Sequence, residues 1–186
     1  SAILNITPDH LNRHYTMENY AAVKESITKN QWKVREDDYC VLNYDDKVLR
    51  EFGKTIKNPV YFSRKEKPSK GAYLDGRIIR YFDGKDDYEV MSVDDMHLFG
   101  NHNYENVMAA IAMTIEAGVP LNIIINVIKA EEENFAKTID TGLNMLEEMV
   151  KNTDGKVMSG ADAFKLSDTY GFTLDLTKAI LDEKGM

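Results

Sequence analysis

The chain has 186 residues, 43% of them hydrophobic and 29% charged, which is the composition of a globular protein and excludes a disordered or fibrous one. A single cysteine, Cys40, excludes an intrachain disulfide and leaves nothing that argues for an oxidising compartment. The net charge of -8 argues against a nucleic-acid or anionic-membrane surface, and no apolar run nears the roughly 20 residues that span a bilayer.

The charge is uneven. Residues 131–186 hold 12 acidic and 6 basic side chains, whereas residues 1–130 hold 19 and 17. A composition step near residue 130 predicts two parts, 1–129 and 130–186. No basic segment followed by an apolar one is present at the start, so no signal peptide is expected.

Ala2-Ile3-Leu4-Asn5-Ile6, closed by Pro8, reads as a buried strand. Thr16 is a candidate N-cap for a helix to about Asn30, with Tyr20, Val23 and Ile27 as its apolar stripe. Tyr39-Cys40-Val41-Leu42 is a second strand and Pro59-Val60-Tyr61-Phe62 a third, with a two-turn helix around Val48 to Phe52 between them. The pattern then changes. Asp75-Gly76 separates Ala72-Tyr73-Leu74 from Ile78-Ile79-Arg80-Tyr81, a hairpin signal, and Asp83-Gly84 offers a second turn.

From Asn101 the pattern is helical. Val107, Ala110, Ile111, Thr114 and Ile115 make one face, and Gly118 with Pro120 ends the element. A helix from about Asn122 carries Ile124, Val127 and Ile128. A further stripe runs through Phe135, Ile139, Leu143, Leu146 and Met149 or Val150. Glu131 and Glu132 interrupt the pattern, which reads either as a solvated turn of one long helix or as a break. Asn152–Gly155 reads as a turn, Ala161–Leu166 as a short helix, Tyr170-Gly171-Phe172 as a linker, and Thr173 as the cap of a last helix burying Leu176 and Ile180. The expected class is α/β: a mixed sheet with helices, followed by an all-α segment.

Four groups of residues carry chemistry. Asp9-His10, just past a strand end, suits a Mg²⁺ ion or a phosphate, the alternative being polar surface. His14 stands four residues after His10, but Leu11 stands where a zinc-protease glutamate belongs. Lys24 on the first helix reads, taken alone, as a solvated lysine. Gly53-Lys54-Thr55 mimics the end of a P-loop, yet Val48 occupies the position of the other required glycine, and no other Gly-Lys-Ser/Thr exists in the chain. Asn103 and Asn106 share a helix face and suit the edge of an adenine. Helix-start capping by Asn101 or Asn103 is the alternative.

Three strings resemble the Mur ligases, nearest the D-glutamate-adding ones. They are Ile3-Leu4-Asn5-Ile6-Thr7-Pro8-Asp9-His10-Leu11-Asn12-Arg13-His14, Met17-Glu18-Asn19-Tyr20-Ala21-Ala22-Val23-Lys24 and Phe99-Gly100-Asn101-His102-Asn103-Tyr104-Glu105-Asn106. Asn12 departs, where that family usually has Asp. The resemblance implies a truncated central, ATP-binding domain over about 1–129, in a cytoplasmic family that joins an amino acid to a UDP-sugar carboxylate through an acyl phosphate. It implies that His10 helps hold Mg²⁺, that Lys24 is the lysine carbamylated as a metal ligand, and that Asn103 and Asn106 contact adenine.

A second set resembles alanyl-tRNA synthetase over about 130–186: Glu131-Glu132-Glu133-Asn134-Phe135-Ala136-Lys137-Thr138, Gly142-Leu143, and Ala163-Phe164-Lys165-Leu166-Ser167-Asp168-Thr169-Tyr170-Gly171-Phe172-Thr173-Leu174-Asp175-Leu176-Thr177. Ser167 and Thr173 depart from that pattern. The chain therefore reads as a chimera of two ligase fragments joined near Ile125 to Ala130. No phosphate cradle of the Mur type and no synthetase aminoacylation core is present in it, so no turnover is expected and no cofactor is required. A nucleotide- or UDP-sugar-binding remnant that takes Mg-ATP weakly is the alternative, and a tRNA-binding fragment a further one. The apolar stripes of the C-terminal helices predict a homodimer.

Overall fold

In a computed structural model the chain forms two compact units, Ser1–Lys129 and Ala130–Met186. The structure describes residues 1–8, 11–96, 100–151, 158–170, 177, 178 and 181.

The first unit is built on a six-stranded sheet in sequential order. β1 (Ala2–Ile3), β2 (Cys40–Asn43), β3 (Pro59–Ser63) and β4 (Gly71–Asp75) are parallel; β5 (Ile78–Phe82) and β6 (Asp87–Ser92) continue it antiparallel. Alternate side chains go to opposite faces, as a strand demands. Val41, Val60, Phe62 and Ala72 join one core, while Cys40, Leu42 and Tyr61 join the other. Both faces of the parallel half are thus buried, which is why its strands read as continuous apolar runs.

Helix α4 (Asn101–Glu116) covers the first face through Met108, Ala109, Ile111 and Ala112, aided by Ile124 at the start of α5 (Leu121–Lys151). The second face is covered by α2 (Met17–Glu25) through Tyr20 and by α3 (Lys47–Gly53) through Leu49. A short α1 (Leu11–His14) precedes α2. Thr16 caps α2, its Oγ1 accepting from the Asn19 amide at 3.2 Å, and Asp46 caps α3.

The α/β class, the five strand positions and the two turns stand as expected, although β1 is confined to Ala2–Ile3 of the five residues expected. Asp75 belongs to β4, however, so the two-residue turn is Gly76-Arg77, and Gly76 takes the positive φ of +60° that glycine supplies without strain. The stripe expected on the first helix is corrected. Tyr20 is buried, but Val23 and Ile27 are 54% and 53% exposed. The α-helix stops at Glu25 and tightens into a 3-10 turn over Ser26–Thr28, so Ile27 leaves the helical phase. On α4 the buried face is Met108, Ala109, Ile111 and Ala112. Val107 and Ile115 flank it, and Thr114 donates its hydroxyl to the Ala110 carbonyl.

The second unit contains most of α5 and α6 (Gly160–Tyr170). α5 is unbroken through the glutamates, and Glu132 is buried, not solvated. It lies four residues after Ile128, on the apolar face of the helix, while Glu131 and Glu133 are exposed. Leu146 and Leu166 centre a small core with Ile139, Leu143, Met149 and Met158, whereas Phe135 is 40% exposed and leaves the expected stripe. α6 reaches Tyr170, further than the Leu166 expected. Ser159 caps it by accepting from the Asp162 amide. The turn at Asn152–Gly155 and the cap at Thr173 with Leu176 and Ile180 lie outside the described residues. Among the described residues no helix is long and apolar enough to cross a membrane.

Candidate functional site at the carboxyl ends of the parallel strands

Ligands of open α/β sheets bind where parallel strands end. Here the segments leaving β1, β2 and β3 are tied to one another by polar side chains. Asn43, the last residue of β2, donates from Nδ2 to the Leu4 carbonyl at 3.1 Å and accepts from the Asp45 amide at 2.9 Å. Asp46 accepts from the Ile6 amide at 2.8 Å with one oxygen and caps α3 at Val48 and Leu49 with the other. Asp45 accepts from Ser63 Oγ and from the Arg64 amide, each at 2.8 Å. Arg64 Nε then reaches α4 and pairs with Glu105 at 2.5 Å.

α4 runs across the sheet with its first turn at this end. Tyr39, at the opposite end of β2, donates its hydroxyl to the Met113 carbonyl at 2.8 Å near the end of α4. Glu116 closes the same helix, accepting from Lys70 at 2.7 Å and from the Tyr81 hydroxyl. Burial, first, and the neighbouring carboxylate, second, push the Tyr81 phenol far up, so this hydroxyl stays a donor.

Lys24 points from α2 to the end of β1. Its Nζ donates to the Asn5 carbonyl at 2.9 Å and lies 4.9 Å from the centre of the Tyr20 ring. It also borders a groove of about 600 Å³ beside the free edge of β1, walled by Ile3, Leu4, Val23 and Ile27. Lys24 is thus not the freely solvated lysine of the plain reading. Asn103 and Asn106 lie one turn apart at the start of α4, half-buried and exposed respectively. Lys24 and the two asparagines therefore sit on helices that cover opposite faces of the sheet, and the strand ends bring both to one margin.

His10 lies outside the described residues. Among the described residues no group of three His, Cys, Asp or Glu side chains could hold a metal ion. Both oxygens of Asp45 and of Asp46 are committed to donors within the protein. The described residues by themselves therefore form no all-protein cage for a Mg²⁺ ion.

Gly53 has a packing reason. A Cβ there would stand 2.2 Å from the Tyr61 hydroxyl oxygen. Gly53-Lys54-Thr55 closes a helix against a buried tyrosine and forms no phosphate loop. The residues that organise the site, Asn43, Asp45, Ser63, Arg64 and Glu105, give no signal in the sequence beyond polar strand ends. Arg64 and Glu105 meet across 41 positions, a separation that no local pattern encodes.

Comparison with known proteins gives the family to which this fold belongs. The family described as Mur ligase middle domain matches residues 1–114, and the chain belongs to that family. The UDP-N-acetylmuramoylalanine--D-glutamate ligase of Lachnospira eligens is 59% identical over 130 residues, covering 69% of this chain and 28% of that protein. The protein of the same name from Alkaliphilus oremlandii is 48% identical over the same length and coverage. That of Clostridioides difficile is 37% identical over 163 residues, 84% of this chain and 35% of its own. The chain thus spans about a quarter to a third of the length of these relatives. Two crystal structures of MurF from Acinetobacter baumannii superpose with TM-scores of 0.51 and 0.52 at 18% identity, over 69% of this chain and 28% of theirs, a likeness of fold. A second family, tRNA synthetases class II (A), matches residues 105–186.

Proposed function

We propose that this chain carries the adenine-facing part of a D-glutamate-adding Mur ligase middle domain, and that these 186 residues alone do not complete the reaction. The observation that carries the reading is the placement of α4. Its first turn, with Asn103 and Asn106, stands at the carboxyl ends of β2 and β3, in a sequence 59% identical to a D-glutamate ligase over 130 residues. Two side-chain amides there offer the paired donor and acceptor that an adenine edge requires. Lys24, beside β1, would be the carbamylated lysine, and His10 would help hold Mg²⁺.

Phosphoryl transfer needs a cradle of backbone amides and a cation on the transferring phosphate. No Gly-x-x-x-x-Gly-Lys-Ser/Thr pattern occurs among these residues, and Gly53 is occupied in packing. Nucleotide is therefore held by its base and weakly. The acidic second unit would be a fragment related to alanyl-tRNA synthetase, which the match over residues 105–186 supports. Its net charge of -6 gives no reason to expect tRNA binding.

A thermal-shift panel tests this reading. Mg-ATP at millimolar concentration raises the melting temperature slightly, and alanine tRNA does not. A shift produced by tRNA and not by ATP would overturn it.

A further inference from the structure

We infer that Arg64 and Glu105 are positioning residues that set the direction of Asn103 and Asn106. This assignment rests on the reading of α4 as the adenine-facing helix.

Helix α4 begins at Asn101 after Gly100, whose φ of +112° lets the chain turn sharply into the helix, and Gly100 as N-cap supplies no side-chain bond to its amides. A first turn without a cap frays, because its leading amides have no intrahelical partner. The Arg64–Glu105 pair ties this turn to the chain leaving β3, beside the packing of Tyr104 and Val107 on the core. The two side chains are 24% and 25% exposed, so the pair is largely withdrawn from solvent, unlike the Arg35–Asp37 pair at 70% and 72%. A partly buried charge-assisted bond holds its geometry better than an exposed one.

The Arg64 end is itself anchored. Asp45 takes the Arg64 amide and Ser63 Oγ, and Ser63 Oγ also accepts from the amides of Lys65 and Glu66 at 3.2 and 3.1 Å. The chain leaving β3 is therefore fixed before its arginine reaches α4. Glu105 lies between Asn103 and Asn106 in the same turn. Fixing one residue of a turn fixes the rotation of the turn about its axis, and with it the direction in which the asparagines point. A base contact tolerates little error in that direction.

The test uses the full chain, labelled with nitrogen-15, as wild type, Glu105→Gln, Arg64→Gln and Arg64→Lys. Amide exchange is followed without ligand, and the side-chain amide signals of Asn103 and Asn106 are followed as adenosine is added. In Glu105→Gln and Arg64→Gln, exchange of the amides of residues 104–107 rises about tenfold, while those of residues 109–116 keep the wild-type rate. The midpoint of the adenosine titration weakens about fivefold. Arg64→Lys, which keeps a cation within reach of Glu105, restores most of both. Exchange that rises equally along α4, or does not rise, overturns the assignment even if adenosine binds. Localised exchange in a protein whose asparagine signals ignore adenosine upholds the strap and overturns the adenine reading.

Discussion

Replacing Gly53 by alanine separates the packing account of the Gly-Lys-Thr string from a phosphate-binding one. The added Cβ meets the Tyr61 ring at 2.2 Å from the hydroxyl oxygen, 2.9 Å from Cζ and 3.0 Å from Cε1. Tyr61 is 5% exposed, and its ring stands edge-on to Tyr44 at 5.0 Å, with Arg50 4.0 Å from the centre of the Tyr44 ring. The tyrosine has to move by more than an ångström within a filled core. Overpacking of this kind costs about 1–3 kcal/mol. Alanine gains up to about 1 kcal/mol over glycine inside a helix, and less at the last residue of α3, where Gly53 sits. The expected net loss is about 1–2 kcal/mol, or roughly 2–8 °C in melting temperature for a chain of this size. Urea denaturation measures it. Tyr61→Phe removes the nearest atom, so the double variant should recover part of the loss. A Gly53→Ala protein as stable as wild type would refute the packing argument. One that is stable yet weaker for Mg-ATP would revive the phosphate loop.

Gly71 is stricter. With φ at +133° and a Cβ 1.8 Å from the Tyr61 backbone oxygen, Gly71→Ala should not accumulate as a folded protein, which circular dichroism of the soluble fraction checks. Asp87 tests the antiparallel half. Burial pushes its carboxyl up, but hydrogen bonds from Lys67, Tyr73 and Arg80 outweigh that and hold it at about 2 against an ordinary 3.8. The stability it contributes is therefore complete above about pH 5 and disappears as pH falls through 2. Asp87→Asn should cost at most about 2 kcal/mol at pH 6 and nearly nothing at pH 2, by urea midpoints at each pH. Self-association of these 186 residues is expected, because Leu4, Val23 and Ile27 beside the edge of β1 are each more than 40% exposed. Light scattering on a sizing column should give twice the mass of the chain, and a monomer at high micromolar concentration would refute it.

The sheet was legible because its signals are local. Val60-Tyr61-Phe62 is apolar on both faces, and Asp75-Gly76 and Asp83-Gly84 mark turns by glycine's freedom at positive φ. Helix faces were less legible. Val23 and Ile27 fit a 3.6-residue period, but whether a face meets protein depends on the neighbouring strand, and β1 ends the sheet there. Glu132 was misjudged for a related reason. Charge predicts exposure, while its helical phase places it on the line from Ile128 to Ala136. The site was half legible. Lys24, Asn103 and Asn106 were found through strings that resemble a family. Asp45, Arg64 and Glu105, which hold those strings in place, become visible only when β2, β3 and α4 are brought together.

On the proposed reading the start of α4 receives adenine while these residues alone do not move a phosphate. Calorimetric titration of Mg-ATP into wild type, Asn103→Ala and Asn106→Ala, with ADP release followed in parallel, tests it most directly. Wild type should bind with a dissociation constant weaker than about 100 μM, binding should be lost in both variants, and no ADP should be released in the presence of the UDP-muramoyl substrate and D-glutamate. Binding that survives both substitutions, or ADP release that depends on those substrates, would contradict it.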